Sequence, residues 1–297
     1  MKARLIAMPE STGDHLRFDI EKYIRNSKKV DISDIDLTDA ARYPVSDNEI
    51  RALTYMGDIE SHTIVYLRAI LNTCAVEDPV TTSFLSCWAY EEFFHGRTIR
   101  QFLDAVGAPL SSTRMLEVQK ASSFTERLKE LGSSVLCRFS RYFHGAYLTY
   151  SAISELSTLE GYGVMARRTQ NPIMAEIARR LAKDERRHSS FYYNKARLEL
   201  RERNSQRLTN FVIRHFWLPV GGGVKPDSEV SWILSFILGD PEGAEIARRI
   251  DATIGKLPGL EWFDRLTRSR DEALQEAGRK VSGVSRYGSP ALAQEKV

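Results

Sequence analysis

The stretch KDERRHSSFYYNKA, residues 183–196, sets Glu185 and His188 three positions apart in a segment free of glycine and proline. Residues at that spacing share one face of an α-helix, so a carboxylate and an imidazole can be offered to a single point. The same pattern stands upstream in CWAYEEFFHGRT, residues 87–98, as Glu92 and His95. With 23 glutamates and six histidines in 297 residues, chance supplies about half of one such pair. Either pair alone reads equally well as a polar stripe on a solvated helix.

Order and spacing along the chain separate the two readings. Glu60 lies 32 residues before Glu92, and Glu155 lies 30 before Glu185, so the sequence runs Glu, Glu-x-x-His, Glu, Glu-x-x-His. At about 1.5 Å of rise per residue, climbing one helix and descending the next over such a span returns to nearly the same height. Four carboxylates and two imidazoles then meet midway along a bundle. Buried as bare charges they would be prohibitively costly, and two metal ions supply the missing counter-charge. Oxygen and nitrogen donors without a thiolate suit iron or manganese, in the pattern of dimetal carboxylate bundles.

Breakers elsewhere agree with long helices. Ser46 with Glu49 forms a capping box opening a helix that runs toward EDP at 77–79. A second helix starts at Pro79 and stops near Gly107 and Pro109, and a shorter one is expected over Thr113 to Leu131. A third covers Ser133 to about Thr169, and the fourth runs from Pro172 to about Asn204. Strand patterns are nearly absent. The fold expected is all-α, a ferritin-like antiparallel four-helix bundle with additional C-terminal helices near 228–238, 241–255 and 259–277. The expected organisation is an N-terminal extension over 1–45, a dimetal helical domain over 46–280 and a flexible tail over 281–297. The bundle core takes 46–204 and the C-terminal helices 205–280. WLPVGGGVKP, residues 217–226, reads as a linker or a mobile lid.

Composition narrows the class. With 42 basic and 39 acidic residues, the balance argues against wholesale nucleic-acid binding. Cys74, Cys87 and Cys137 read as reduced core residues, with no Cys-x-x-Cys motif. No apolar run approaches the roughly 20 residues of a membrane span, so a cytoplasmic protein is expected.

The segments WAYEEFFH, SELSTLEGYGVMARR and AKDERRH, with GDPEGAEIARRIDATIGKLPGLEWF near the C-terminus, resemble the plastid-type and actinobacterial acyl-carrier-protein desaturases of the ferritin-like di-iron superfamily. The resemblance extends over about residues 45–275. It implies metal ligands at Glu60, Glu92, His95, Glu155, Glu185 and His188, holding two iron ions, with manganese or a mixed pair as variants. It implies that Thr158 acts in catalysis beside the metals, and that Trp88 and Asp184 orient the ligands from outside. The activity that the resemblance implies is O2-dependent desaturation of an acyl chain on acyl carrier protein, with a ferredoxin-type electron donor and a homodimeric enzyme. The chain departs from the plant enzymes in a three-residue shorter spacing between its third and fourth motifs, and in its N-terminal region.

Other chemistries use the same six ligands. A hydroxylase or N-oxygenase acting on a small biosynthetic intermediate stands next in order. Lower come an iron-storage or peroxide-scavenging bundle and a ribonucleotide reductase small subunit, whose radical tyrosine would fall where Ile99 stands. Glu160 competes with Glu155, and Asp58 and Glu49 with Glu60. Glu91 is set aside because it has no histidine three later. His62 and His144 read as packed or surface residues, and His15 and His215 lie outside the pattern. Phe93, Phe94, Phe191, Tyr192 and Tyr193 are expected to wall the site. Arg186, Arg187, Lys195, Arg197, Arg201, Arg203 and Arg207 are expected to form an outward basic face, suited to an acidic carrier.

Overall fold

The computed structural model describes residues 18–71, 74–114, 116–117 and 142–284. Its helices are, in chain order, α1 (Ile20–Asn26), α2 (Asp47–Ile70), α3 (Pro79–Ala105), α4 (Phe143–Arg168), α5 (Pro172–Glu199), α6 (Arg203–Phe216), α7 (Asp227–Leu238), α8 (Pro241–Ile254) and α9 (Arg265–Val284). Two 3-10 turns, Leu37–Arg42 and Cys74–Glu77, complete them. Among the described residues there is no strand, only an isolated bridge between Gly222 and Lys225. The all-α expectation holds.

Local chemistry sets the helix starts. The expected capping box forms before α2: the Ser46 backbone N–H and hydroxyl both donate to Glu49 Oε2, at 2.8 and 2.7 Å. α3 and α5 each begin with proline at a position whose N–H has no intrahelical acceptor, so nothing is lost. Asp78 caps α3 by accepting from Thr81 N at 3.0 Å. Asn171, fully buried, accepts from the backbone N–H of Ile173 and Met174 at 3.1 Å each, while its Nδ2 donates to Ala40 O at 2.9 Å.

α2 packs along α3 and α4 along α5, giving two antiparallel hairpins, and α3 meets α5 to join them. Phe84, Leu85, Ile99, Phe102, Leu148, Ile153, Leu181 and Phe191 fill the shared interior, each nearly or wholly buried. Each such side chain contributes roughly 1.5–3 kcal/mol through removal from water. The additional helices α7, α8 and α9 pack on one another and reach α2 and α4. Buried Asp251 of α8 caps α9, accepting from Leu266 N and Thr267 N at 3.1 and 2.9 Å. No helix among the described residues is long and apolar enough to cross a membrane.

Several boundaries differ from the sequence reading. The fourth helix ends at Glu199 instead of about Asn204, and α6, not anticipated, follows from Arg203. No glycine or proline marks that break; Leu200 is fully buried there, and the α6 residues Ser205 and Thr209 are buried as α6 packs on α4. Residues 18–45, expected as an extension, lie against the bundle: α1 and the Leu37–Arg42 turn pack on α3, and the same turn touches α5. Cys87 is a free, half-buried thiol. The expected helix over Thr113 to Leu131, the first part of the third helix, Cys137 and His15 fall wholly or largely outside the described residues, as does the tail beyond residue 284.

Residues 217–226 are no loose linker. The Tyr55 hydroxyl donates to Val220 O at 2.6 Å and the Tyr150 hydroxyl to Leu218 O at 3.1 Å. Gly221, at φ +86°, runs so close to Tyr55 that a Cβ would sit 1.9 Å from its hydroxyl oxygen. Lys225 Nζ reaches buried Asp58 at 2.6 Å.

Candidate dimetal centre

Six side chains predicted from their spacing meet in the middle of the bundle: Glu60 from α2, Glu92 and His95 from α3, Glu155 from α4, and Glu185 and His188 from α5. All six are buried. They form two interlocking groups, Glu60–Glu92–His95–Glu185 and Glu92–Glu155–Glu185–His188, and within each group one donor atom per residue lies within 4.8 Å of the others. The glutamates of the two Glu-x-x-His motifs belong to both groups. The lone glutamates and the histidines belong to one each. Glu92 and Glu185, common to both groups, could serve two adjacent metal sites, each with one further carboxylate and one imidazole.

Close helix approach makes this possible. Gly96 follows His95 directly, and a Cβ there would sit 3.0 Å from Ser61 Oγ and 3.2 Å from Glu60 Cβ. Without that side chain α2 can come near enough to carry Glu60 to the cluster. The competing acids point elsewhere. Glu160 pairs with Arg249 at 2.8 Å, Asp58 with Arg114 at 2.8 Å and Lys225 at 2.6 Å, and Glu49 caps α2.

Both imidazoles turn Nδ1 inward. His95 Nδ1 lies 3.0 Å from Glu185 Oε1, and His188 Nδ1 lies 3.0 Å from Glu92 Oε1. Glu92 Oε1, His95 Nδ1 and Glu185 Oε1 are nevertheless buried without an aligned hydrogen-bond partner. These three orphaned atoms, two oxygens and one nitrogen set among the other cluster carboxylates and the second imidazole, fit hard to borderline cations. The electrostatics of the bare cluster carry the same signature. Burial first, then neighbouring carboxylates, push Glu60, Glu92 and Glu155 upward. Burial opposes the charged forms of the histidines, but Asp184 and Glu185 raise His95, while Tyr23, Glu155, Glu185 and Glu91 raise His188. Burial also pushes Glu185 up, yet His188 and His95 together hold it well below its ordinary value. Cations held among these groups would relieve this strain.

The outer groups show an exchange between motifs. Asp184, which precedes Glu185, meets Nε2 of His95 at 3.3 Å. Glu91, which precedes Glu92, meets Nε2 of His188 at 2.7 Å. Each anchor fixes the tautomer that leaves Nδ1 free for a cation. Arg187 joins the two anchors, its Nη2 donating to Asp184 Oδ1 at 2.7 Å and to Glu91 Oε1 at 2.9 Å. The Tyr23 hydroxyl donates to Glu91 Oε2 at 2.8 Å. Burial pushes Glu91 up, but His188, Arg187 and Tyr23 hold it down at about 2.

Two readings are thereby corrected. Glu91 belongs to the centre, because its partner histidine sits on another helix and not three residues later. Arg187 turns inward to a partly buried ion pair, because the two anionic anchors flank it. Of the remaining basic face, Lys195 pairs with Asp78 at 2.8 Å, and Arg186, Arg201, Arg203 and Arg207 are exposed.

Trp88, expected as an outer group, donates from Nε1 to Glu155 Oε1 at 3.1 Å. Tyr162, which the sequence reading missed, is fully buried and donates its hydroxyl to Glu60 Oε1 in a short hydrogen bond. It lies seven residues after Glu155, two helical turns along the same face, and that spacing was the available signal. Phe191 and Tyr192 are buried around the site as expected, whereas Phe93 is 58% exposed and walls nothing. His62 is buried against Tyr66, His144 is half-buried 3.6 Å from Glu199, and His215 lies against Phe211 on α6 with the rings tilted by 51°.

A cavity of about 310 Å³ opens against the cluster, lined in part by Glu60, Trp88, Glu92, Glu155, Thr158 and Glu185. Pro219 to Gly222 form part of its wall. A smaller cavity of about 80 Å³ lies beyond, toward Ile233, Ile237, Ile250 and Leu266, and shares Ile59, Glu60, Thr158, Pro219 and Val220 with the first. Thr158 stands on the wall common to both. Comparison with known proteins adds no relative: no family model, no curated protein and no solved structure matches this chain.

Proposed function

We propose that this chain is an O2-activating dimetal oxidoreductase. Glu60, Glu92, His95, Glu155, Glu185 and His188 hold two iron ions, with manganese or a mixed pair as variants. The observation that carries this is the pair of four-ligand groups sharing Glu92 and Glu185, set against a cavity of ligand size. When bound, the metal pair supplies reduction of O2 and oxidation of an unactivated bond. The chain's own residues do the rest. Asp184 and Glu91 hold the imidazole tautomers, Trp88 and Tyr162 orient Glu155 and Glu60, and the apolar walls exclude water. Thr158 places a hydroxyl beside Glu155, where it can hold or pass a proton.

On the motif resemblance, the reaction is desaturation of an acyl chain on acyl carrier protein by a homodimer using a ferredoxin-type donor. The apolar sides of the two cavities support that reading. A second reading, a hydroxylase or N-oxygenase of a small biosynthetic intermediate, is favoured by the hydroxyl-bearing face that α4 turns to the larger cavity.

Metal analysis tests the core of the proposal. About two transition-metal ions per chain are expected in the wild type and almost none in a Glu92→Ala/Glu185→Ala double variant. Equal metal content in both would sink it. Mass spectrometry of turnover with O2 and reductant separates the reactions: desaturation removes two hydrogens, and oxygenation adds one oxygen.

A further inference from the structure

α4 presents one continuous face to the larger cavity: Tyr147, Tyr150, Ser151, Ser154, Glu155 and Thr158 all line it. The steps of three and four residues keep these side chains on one stripe, about 16 Å long. Each of these six carries a hydroxyl or a carboxylate, while Phe143 and Ala146 line the cavity from the N-terminal end of the same helix. The rest of the wall, beside the cluster residues, supplies Ile59, Ile70, Val212 and Val220 together with Thr63 and Tyr66. A row of hydroxyls on α4 thus lies across the cavity from a wall in which Ile59, Ile70, Val212 and Val220 form the apolar part.

Hydroxyls on the rest of α4 show what these residues do when a ligand is not involved. Thr149 and Ser157 donate back to the carbonyls of Gly145 and Ile153, at 2.8 Å each. Within the stripe, Tyr150 donates to Leu218 O at 3.1 Å, and Tyr147 bonds Tyr192 and Ser151. Ser154 and Thr158 have no hydrogen bond among the described residues. They stand one turn apart on either side of Glu155, open to the cavity. A saturated hydrocarbon lying there would desolvate both hydroxyls and pair neither. A site built to pair a polar group discriminates against the analogue lacking it.

We propose that the cavity takes a compact amphipathic substrate, with hydroxyl, amine or carbonyl groups along one edge placed on Ser154 and Thr158 and an apolar edge placed on Ile59, Ile70 and Val220. What becomes of that substrate rests on the dimetal reading; the binding preference does not. An acyl chain fits the class when it bears an oxygen or nitrogen substituent near the position that meets Glu155.

Binding of matched probes tests this on the metal-loaded protein: decanoate against 5-hydroxydecanoate, and indane against 1-indanol, by titration calorimetry. The hydroxylated member of each pair is expected to bind at least tenfold tighter, about 1.4 kcal/mol. Ser154→Ala and Thr158→Val are each expected to cut that preference below about threefold, and Ser154→Thr, which restores a hydroxyl, to retain it. Circular dichroism of each variant reports folding separately. Parents binding as tightly as their hydroxylated partners, a preference unchanged in both hydroxyl-deleting variants, or no binding of either pair at millimolar concentration overturns the proposal. Metal content of the same preparations keeps the two readings apart. A metal-free chain that retains the preference defeats the dimetal reading alone, and a loaded chain without it defeats this one.

Discussion

Glu91 Oε2 lies 2.7 Å from His188 Nε2, although 97 residues separate them. Asp184 and His95 make the reciprocal contact at 3.3 Å, so the residue before each motif's glutamate braces the other motif's histidine. Such braces set both tautomer and basicity of a ligand imidazole.

Glu91→Gln and Asp184→Asn are each expected to weaken metal binding about 10–100-fold while leaving all six ligands in place. Chelator competition on purified variants measures this directly. Unchanged affinity in both would show that the braces are structural only.

Metal removal is expected to destabilise the fold, because four buried carboxylates lose their counter-charge. With metal at about 1,000 times its dissociation constant, linkage predicts a loss of about 4 kcal/mol on chelation. Calorimetric melting before and after dialysis against chelator measures it, and an unchanged Tm counts against metal binding.

Gly221→Ala is expected to cost about 1–3 kcal/mol, since φ is +86° and the new Cβ would strike the Tyr55 hydroxyl. Denaturant unfolding gives the cost. Tyr55→Phe in the same background removes the struck oxygen and is expected to recover part of it.

His144 carries the pH prediction. Burial, helped by the charge of Lys195, lowers its pKa to about 4. A folded-state value below the unfolded one means the unfolded chain binds more protons between about pH 6.5 and 4, so stability falls as pH drops through that window. The full effect of this one group is about 3 kcal/mol. Urea midpoints from pH 7 to 4 are expected to slope less steeply in His144→Asn than in wild type.

The sequence by itself determined the helix starts, since a capping box at Ser46 and Glu49 and prolines at 79 and 172 act within a few residues of themselves. It also determined the six cluster residues, because helical rise converts spacings of 32 and 30 into equal heights. Tertiary structure alone decided what depends on neighbours distant in sequence. Glu91 looked redundant beside Glu92 until α5 brought His188 to it. Arg187 looked like surface charge until Asp184 and Glu91 closed around it. The break after Glu199 carries no glycine or proline and comes where α6 packs on α4. The Gly221 turn is held by Tyr55 from another helix, which turns a linker into the wall of a cavity. Local signals fix which face a side chain occupies; only packing fixes what that face meets.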